Sequence, residues 1–235
     1  MLRRVPLRTT RLSGLLAVGM LALIVWACGG GSAEDDAEVQ ALLSQMTLTE
    51  EDMPVGLVRV SAFVSTNQDV AEAVIDTEAE LVKLERWGRR LGYDVQFEPG
   101  PEAPADSEVQ GLQNTVSIYR TEDGASDSFA DAAGDSRETD WASLYPGVGD
   151  LKVEEIERPD LAADEYVWFR ISGVQESDDK LIIDDQVAFR KSNVRSFLRV
   201  VTLFDPDSPR DSYLDQLETW VRRVNERIEN ALEMD

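Results

Sequence analysis

The sole cysteine of this 235-residue chain, Cys28, stands where an apolar run ends, and that run follows an arginine-rich start. Arg3, Arg4, Arg8 and Arg11 occur with no acid before them, and Leu12 to Ala27 is mainly apolar. A basic region, an apolar region and a small residue at the junction form the layout of a secretory signal. The folded part of the chain is therefore expected after residue 27. An uncleaved anchor helix is the alternative reading. Its 16 residues fall short of the roughly 18 to 20 that span a bilayer comfortably. Under either reading the arginine-rich end stays in the cytoplasm and the domain lies outside.

The junction reads Val25-Trp26-Ala27-Cys28, which resembles the lipobox of bacterial lipoproteins in its branched apolar first residue and in the small residue before the cysteine. Trp26 replaces the small or polar residue usual in the middle. The resemblance implies that Cys28 is lipidated, its thiol carrying diacylglycerol and its new amine a further acyl chain such as palmitate. Two or more chains anchor stably where one is marginal. Gly29-Gly30-Gly31-Ser32 then reads as a flexible tether, extended by the charges of Glu34-Asp35-Asp36. The expected organisation is a signal peptide over 1–27, a lipidated acidic tether over 28–37, and one extracytoplasmic domain over 38–235. That domain would sit on the outer face of a cell membrane or an outer membrane. Its length of about 200 residues is enough for a single full core.

Charge narrows the partners. The chain has 46 acidic and 23 basic residues, and loss of the four leader arginines leaves a formal charge of −27. Nucleic acid is excluded as a partner and an anionic lipid surface is disfavoured, because both need net positive contact. Such a surface suits solubility or the attraction of cations. There is no histidine, and Cys28, the sole cysteine, is expected to carry lipid. Histidine-based triads, thiol nucleophiles, disulfides and His/Cys zinc sites are therefore excluded. Carboxylate chemistry, serine-lysine chemistry or no catalysis remain.

Periodicity outlines an α+β fold, a mainly antiparallel curved sheet with flanking helices. Val39, Leu42, Leu43 and Met46 predict a short helix. Thr49 can cap a turn that Pro54 and Gly56 end, and Leu57 to Val64 alternates as a strand. Residues 69–91 read as a helix reset near Asp76-Thr77, with Ala79, Val82, Leu84, Trp87 and Leu91 inward and Arg86, Arg89 and Arg90 wet. Strands through Tyr93–Phe97 and Leu112–Ile118 lead to a helix capped by Thr121. A loop is expected from Trp141 to Asp150. Four strands follow, at about 151–157, 165–173, 181–191 and 194–204, with a turn at Lys191-Ser192-Asn193. Val167-Trp168-Phe169 and Val200 to Phe204 are apolar on both faces, which suggests a sheet covered on both sides. A long helix from about Arg210 to Met234 closes the chain.

Several clusters are candidates for chemistry. Asp205, Asp207 and Asp211 are closely spaced carboxylates, as a hard cation such as calcium requires, although capping of the last helix by Asp207 or Ser208 explains them more simply. Asp178-Asp179 and Asp184-Asp185 flank an apolar run, and facing carboxylates would suit acid/base work. Ser177-Asp178-Asp179-Lys180 is the sole Ser-x-x-Lys spacing and reads as a turn. Trp141 and Tyr145, in the expected loop, could form a stacking platform for a ligand or a lid on the core. Arg170, Arg190, Arg195 and Arg199 fall on neighbouring expected strands, where they would make a local anion site or neutralise nearby acids.

Asp52-Met53-Pro54-Val55-Gly56-Leu57, after a short helix, resembles the Asp-Leu-Pro-x-Gly opening of small secreted bacterial lipoproteins of the actinobacterial LpqN type, which are similar in fold to the photosystem protein PsbP. Met53 and Leu57 stand where leucine and an aromatic are more usual. Thr121 to Ala125 opening a helix, Gly149-Asp150 before a strand and Phe189 to Val194 at a hairpin are compatible with that pattern. The resemblance implies a non-catalytic binding or assembly module of the cell envelope, with no catalytic residues and no cofactor to carry over. The expected function is thus a lipid-anchored module that binds an envelope ligand or protein. A carboxylate-based glycan-active enzyme and a calcium-dependent structural lipoprotein are the alternatives.

Overall fold

The computed structural model describes residues 33–104, 107–158, 161–205 and 211–233. Cys28, on which the anchor expectation rests, and Asp207 lie outside them. The described residues form one compact unit. The elements run α1 (Ala33–Met46), a 3-10 turn (Glu50–Asp52), β1 (Leu57–Ser65), α2 (Asn67–Glu72), α3 (Thr77–Arg86), β2 (Arg89–Pro99), β3 (Val109–Tyr119), α4 (Glu122–Glu138), α5 (Trp141–Leu144), β4 (Val148–Glu155), β5 (Glu165–Gln175), β6 (Leu181–Lys191), β7 (Val194–Phe204) and α6 (Asp211–Glu233).

All seven strands join one antiparallel sheet in the order β1-β2-β3-β7-β6-β5-β4. Two meanders, β1-β2-β3 and β4-β5-β6-β7, meet along the β3–β7 pairing, which puts β7 at the centre. Alternation along β7 divides the layers: Val194, Ser196, Leu198, Val200, Thr202 and Phe204 are buried while the residues between are partly exposed. The buried set meets α1 and α6 through Leu43, Met46, Leu217, Trp220, Val221, Val224 and Ile228. On the opposite face α3 and α4 cover a smaller cluster of Leu84, Trp87, Tyr119 and Ala125. Phe129 and Ala133 of α4 cover Val167, Phe169 and Ile171 of β5 on that same face. The fold is α+β, with helices on both faces of the sheet.

Several details depart from the sequence expectations. The acidic stretch read as tether already belongs to α1, which starts at Ala33; acids in a first turn are favoured by the helix dipole. Helix α3 ends at Arg86, so Leu91 lies in β2 and Val82 is exposed. The expected loop after Trp141 is a one-turn helix followed by β4, which starts at Val148. In the β6–β7 turn the positive φ, 52°, belongs to Ser192. Asn193 instead accepts from the Tyr119 amide through its carbonyl and donates to the Tyr119 carbonyl through its side chain.

The opening motif ties the chain's start to its end. Asp52 Oδ2 accepts from the Thr49 amide at 2.7 Å and pairs with Arg227 on α6 at 2.7 Å. The Asp52 carbonyl accepts from Trp220 Nε1 at 2.9 Å. Gly56 has φ +96°, and a side chain there would bring its Cβ within 2.6 Å of Ala103 Cα. This explains a glycine at the position, since only glycine combines that φ with such close backbone approach.

Candidate functional site

Asp184 and Asp185, fully buried on β6, alternate to opposite faces of the sheet. Towards α6, Asp185 accepts both arms of Arg170 at 3.0 Å each, Trp168 Nε1 at 2.6 Å and the Tyr213 hydroxyl at 2.9 Å. Towards α4, Asp184 accepts Arg199 at 2.6–3.1 Å and the Tyr145 hydroxyl. Burial, with the adjacent carboxylate, pushes both tyrosine pKa values above the ordinary range. The two aspartates are therefore not a facing pair that shares a proton. Each is ion-paired with its own arginine on its own face of the sheet.

Asp178 and Asp179 are exposed in the β5–β6 turn, where Asp179 has φ 56°, and Ser177 is exposed beside them, so no buried serine-lysine dyad exists there. Trp141 donates from Nε1 to the Ser136 carbonyl at 3.1 Å and packs on Phe169 with centroids 6.3 Å apart. With Tyr145 on Asp184, these two aromatics form a lid on the core and no open platform. Asp205 is exposed at the end of β7. Asp211 opens α6. Among the described residues no group of three or more carboxylates converges as a metal site.

Of the four strand arginines, Arg170, Arg190 and Arg199 are ion-paired, Arg190 with Glu165 and Asp164. Arg195 differs. Its Nη1 donates to the carbonyl and hydroxyl of Ser128 at 2.9 and 2.7 Å, and it has no carboxylate partner among the described residues.

Arg195 belongs to a row of directly opposed residues crossing the sheet beneath α2 and α4: Ser65, Gly92, Ser117, Arg195, Arg190 and Glu165. A Cβ on Gly92 would overlap Arg89 Nη2, so the missing side chain is what lets the Arg89 guanidinium lie in the row. Arg89 is 5% exposed. It donates to Ser117 Oγ at 3.2 Å, Ser65 Oγ at 3.0 Å, the Ser65 carbonyl at 3.3 Å and Asn67 Oδ1 at 3.0 Å. Burial, then the neighbouring Arg195 charge, draws its pKa down, while Tyr119, Asp94 and Asp69 oppose that shift.

Both arginines line a cleft of about 530 Å³ roofed by α2, α3 and α4, a volume typical of small-molecule sites. The adjacent row supplies Phe63, Asp94, Thr115 and Phe197. Arg89 is a residue the periodicity placed on a wet helix face. The available signal was Gly88, which separates α3 from β2.

No family model matches the chain, and no curated protein matches it either. Among solved structures, the extracellular domain of PknH from Mycobacterium tuberculosis is similar, with 10% identity and a TM-score of 0.50, covering 81% of this chain and 96% of that one. At that identity the likeness concerns the fold alone.

Proposed function

We propose that this chain is a lipid-anchored extracytoplasmic lipoprotein, attached through Cys28, whose sheet domain binds an envelope ligand or protein and performs no chemistry. The observation that carries the binding reading is the contrast on one sheet. Asp184 and Asp185, the carboxylates buried deepest, are locked by arginines, while a cleft on the same scaffold presents Arg89 and Arg195 with only neutral hydrogen-bond partners. A fixed sheet with unengaged Arg195 donors in a cleft is suited to holding a ligand. The anchor reading is supported by the leader and by Val25-Trp26-Ala27-Cys28, and the fold likeness to an extracellular domain agrees with an outside location.

The test is the intact mass of the membrane-extracted protein beside a Cys28→Ala variant from the same host. A mass starting at residue 28 with diacylglycerol and acyl chains, lost in the variant, is expected. A full-length mass without lipid overturns the anchor. Glycan turnover abolished by one carboxylate substitution overturns the non-catalytic reading.

A further inference from the structure

Two like charges directly opposite one another on neighbouring strands destabilise a sheet, yet Arg195 and Arg190 are register partners and the Arg89 guanidinium joins their row. Glu165 and Asp164 neutralise Arg190. Arg89 and Arg195 keep neutral acceptors, although Arg170, Arg190 and Arg199 are all ion-paired. Arg195 engages Nη1 alone, so its Nε and Nη2 donate to nothing among the described residues. Those two N–H groups form the planar edge that receives a carboxylate in bidentate fashion.

The rest of the lining selects the ligand. Asp69, Glu80, Asp94, Asp131 and Asp135 also border the cleft. Asp69 accepts from Thr66, Asp94 from Thr115, and Asp131 from Lys83, which also lies 4.0 Å from Glu80. Four of these five acids are thus engaged, and the single free planar edge of Arg195 fits one carboxylate group. Phe63, Phe197, Val70 and Val74 line the same space, and Phe63 is 48% exposed. Apolar surface beside one free guanidinium edge matches a molecule with an apolar body and one carboxylate.

We infer that this cleft binds an organic monocarboxylate with an apolar body, Arg195 receiving the carboxylate on its Nε and Nη2 edge and Arg89 supporting the positive field beside it. The inference rests on the reading of the domain as a binding module and names its ligand class.

The full chain, extracted with its anchor, is titrated calorimetrically with N-acetylphenylalanine and with the uncharged N-acetylphenylalaninamide. Saturable binding of the acid alone is expected. Arg195→Gln weakens it by at least about tenfold, and Arg195→Lys weakens it less, because it keeps the charge without the planar edge. No saturable binding of the acid, equal binding of acid and amide, or unchanged binding by a folded Arg195→Gln protein overturns the inference. Should Arg195→Gln not fold, the acid and amide comparison on the unsubstituted chain decides. Ligand recovered chemically unchanged from a protein that fails to bind it overturns this inference alone; ligand recovered transformed overturns the non-catalytic reading.

Discussion

Asp184 and Asp185 are consecutive in β6, yet their carboxylates answer to arginines on opposite sides: Asp184 to Arg199 of β7, Asp185 to Arg170 of β5. The period of two along a strand turns an acidic dipeptide into two independent ion pairs on two faces. Their solvent exposure differs, since the Arg170 side chain is 16% exposed and that of Arg199 is 42% exposed. Asp185→Ala strands the half-buried Arg170 guanidinium, the Trp168 indole and the Tyr213 hydroxyl together. It is expected to lower stability by about 3–5 kcal/mol. Asp184→Ala leaves an arginine that water can reach and is expected to cost roughly 1–3 kcal/mol. Denaturant unfolding with an unchanged m-value reads both. Equal losses would contradict the assignment of Asp185 as the deeper pair.

What the sequence made legible follows the strength of its periodicity. The expected strand at about 194–204 and the closing helix from about Arg210 to Met234 both stand within a residue or so of where they are found. The arginines on neighbouring strands were legible as a group. Their fates were not, because pairing depends on register between strands distant in sequence, such as Ser117 of β3 against Arg195 of β7. Arg89 was hidden for a local reason. A run of charged residues after Leu84 continues a helical pattern, and the change to strand is marked only by Gly88, whose φ is +68°.

Two glycines in α4 are expected to respond oppositely to alanine. A Cβ on Gly124 would overlap the Trp87 carbonyl oxygen, and the backbone there is fixed by Arg120 donating to the Gly88 carbonyl at 2.9 Å. Gly124→Ala forces the start of the helix off the α3–β2 turn and should cost about 1–3 kcal/mol. Gly134 has nothing within 4 Å of the same position. Gly134→Ala removes only the backbone freedom of a helical glycine and should stabilise by about 0.5–1 kcal/mol. Thermal midpoints of the two variants moving in the same direction would refute the packing of α4 against Trp87.

Alkali should destabilise the protein through Tyr145 and Tyr213. Both keep their protons more tightly when folded, owing first to burial and then to Asp184 and Asp185 respectively. A raised folded pKa contributes stability that is complete below the unfolded tyrosine pKa near 10. Above it the unfolded chain releases protons that the folded chain retains, so stability falls as pH rises. Denaturant midpoints should be flat from about pH 8 to 9.5 and decline beyond. The decline should shrink in Tyr145→Phe and Tyr213→Phe. An unaltered decline in both variants would mean that these hydroxyls do not titrate as their carboxylate contacts require.

Asp52 joins the opening turn to α6 through a pair with Arg227, and Arg227 also donates to the Thr47 carbonyl. The Asp52 side chain is 8% exposed and that of Arg227 is 22% exposed, so the pair is shielded enough to matter, unlike the exposed Arg137–Glu155 pair, worth at most about 1 kcal/mol. Asp52→Ala should cost about 3 kcal/mol, since it removes the cap on the Thr49 amide and strands Arg227. Arg227→Met leaves the cap and loses the pair. In a double-mutant cycle the two losses should fall short of additivity by at least about 1 kcal/mol, because the second substitution removes a charge the first has already stranded. Additive losses would mean that the Asp-x-Pro-x-Gly opening is held by its own turn and by Trp220, and that the ion pair to the last helix is incidental.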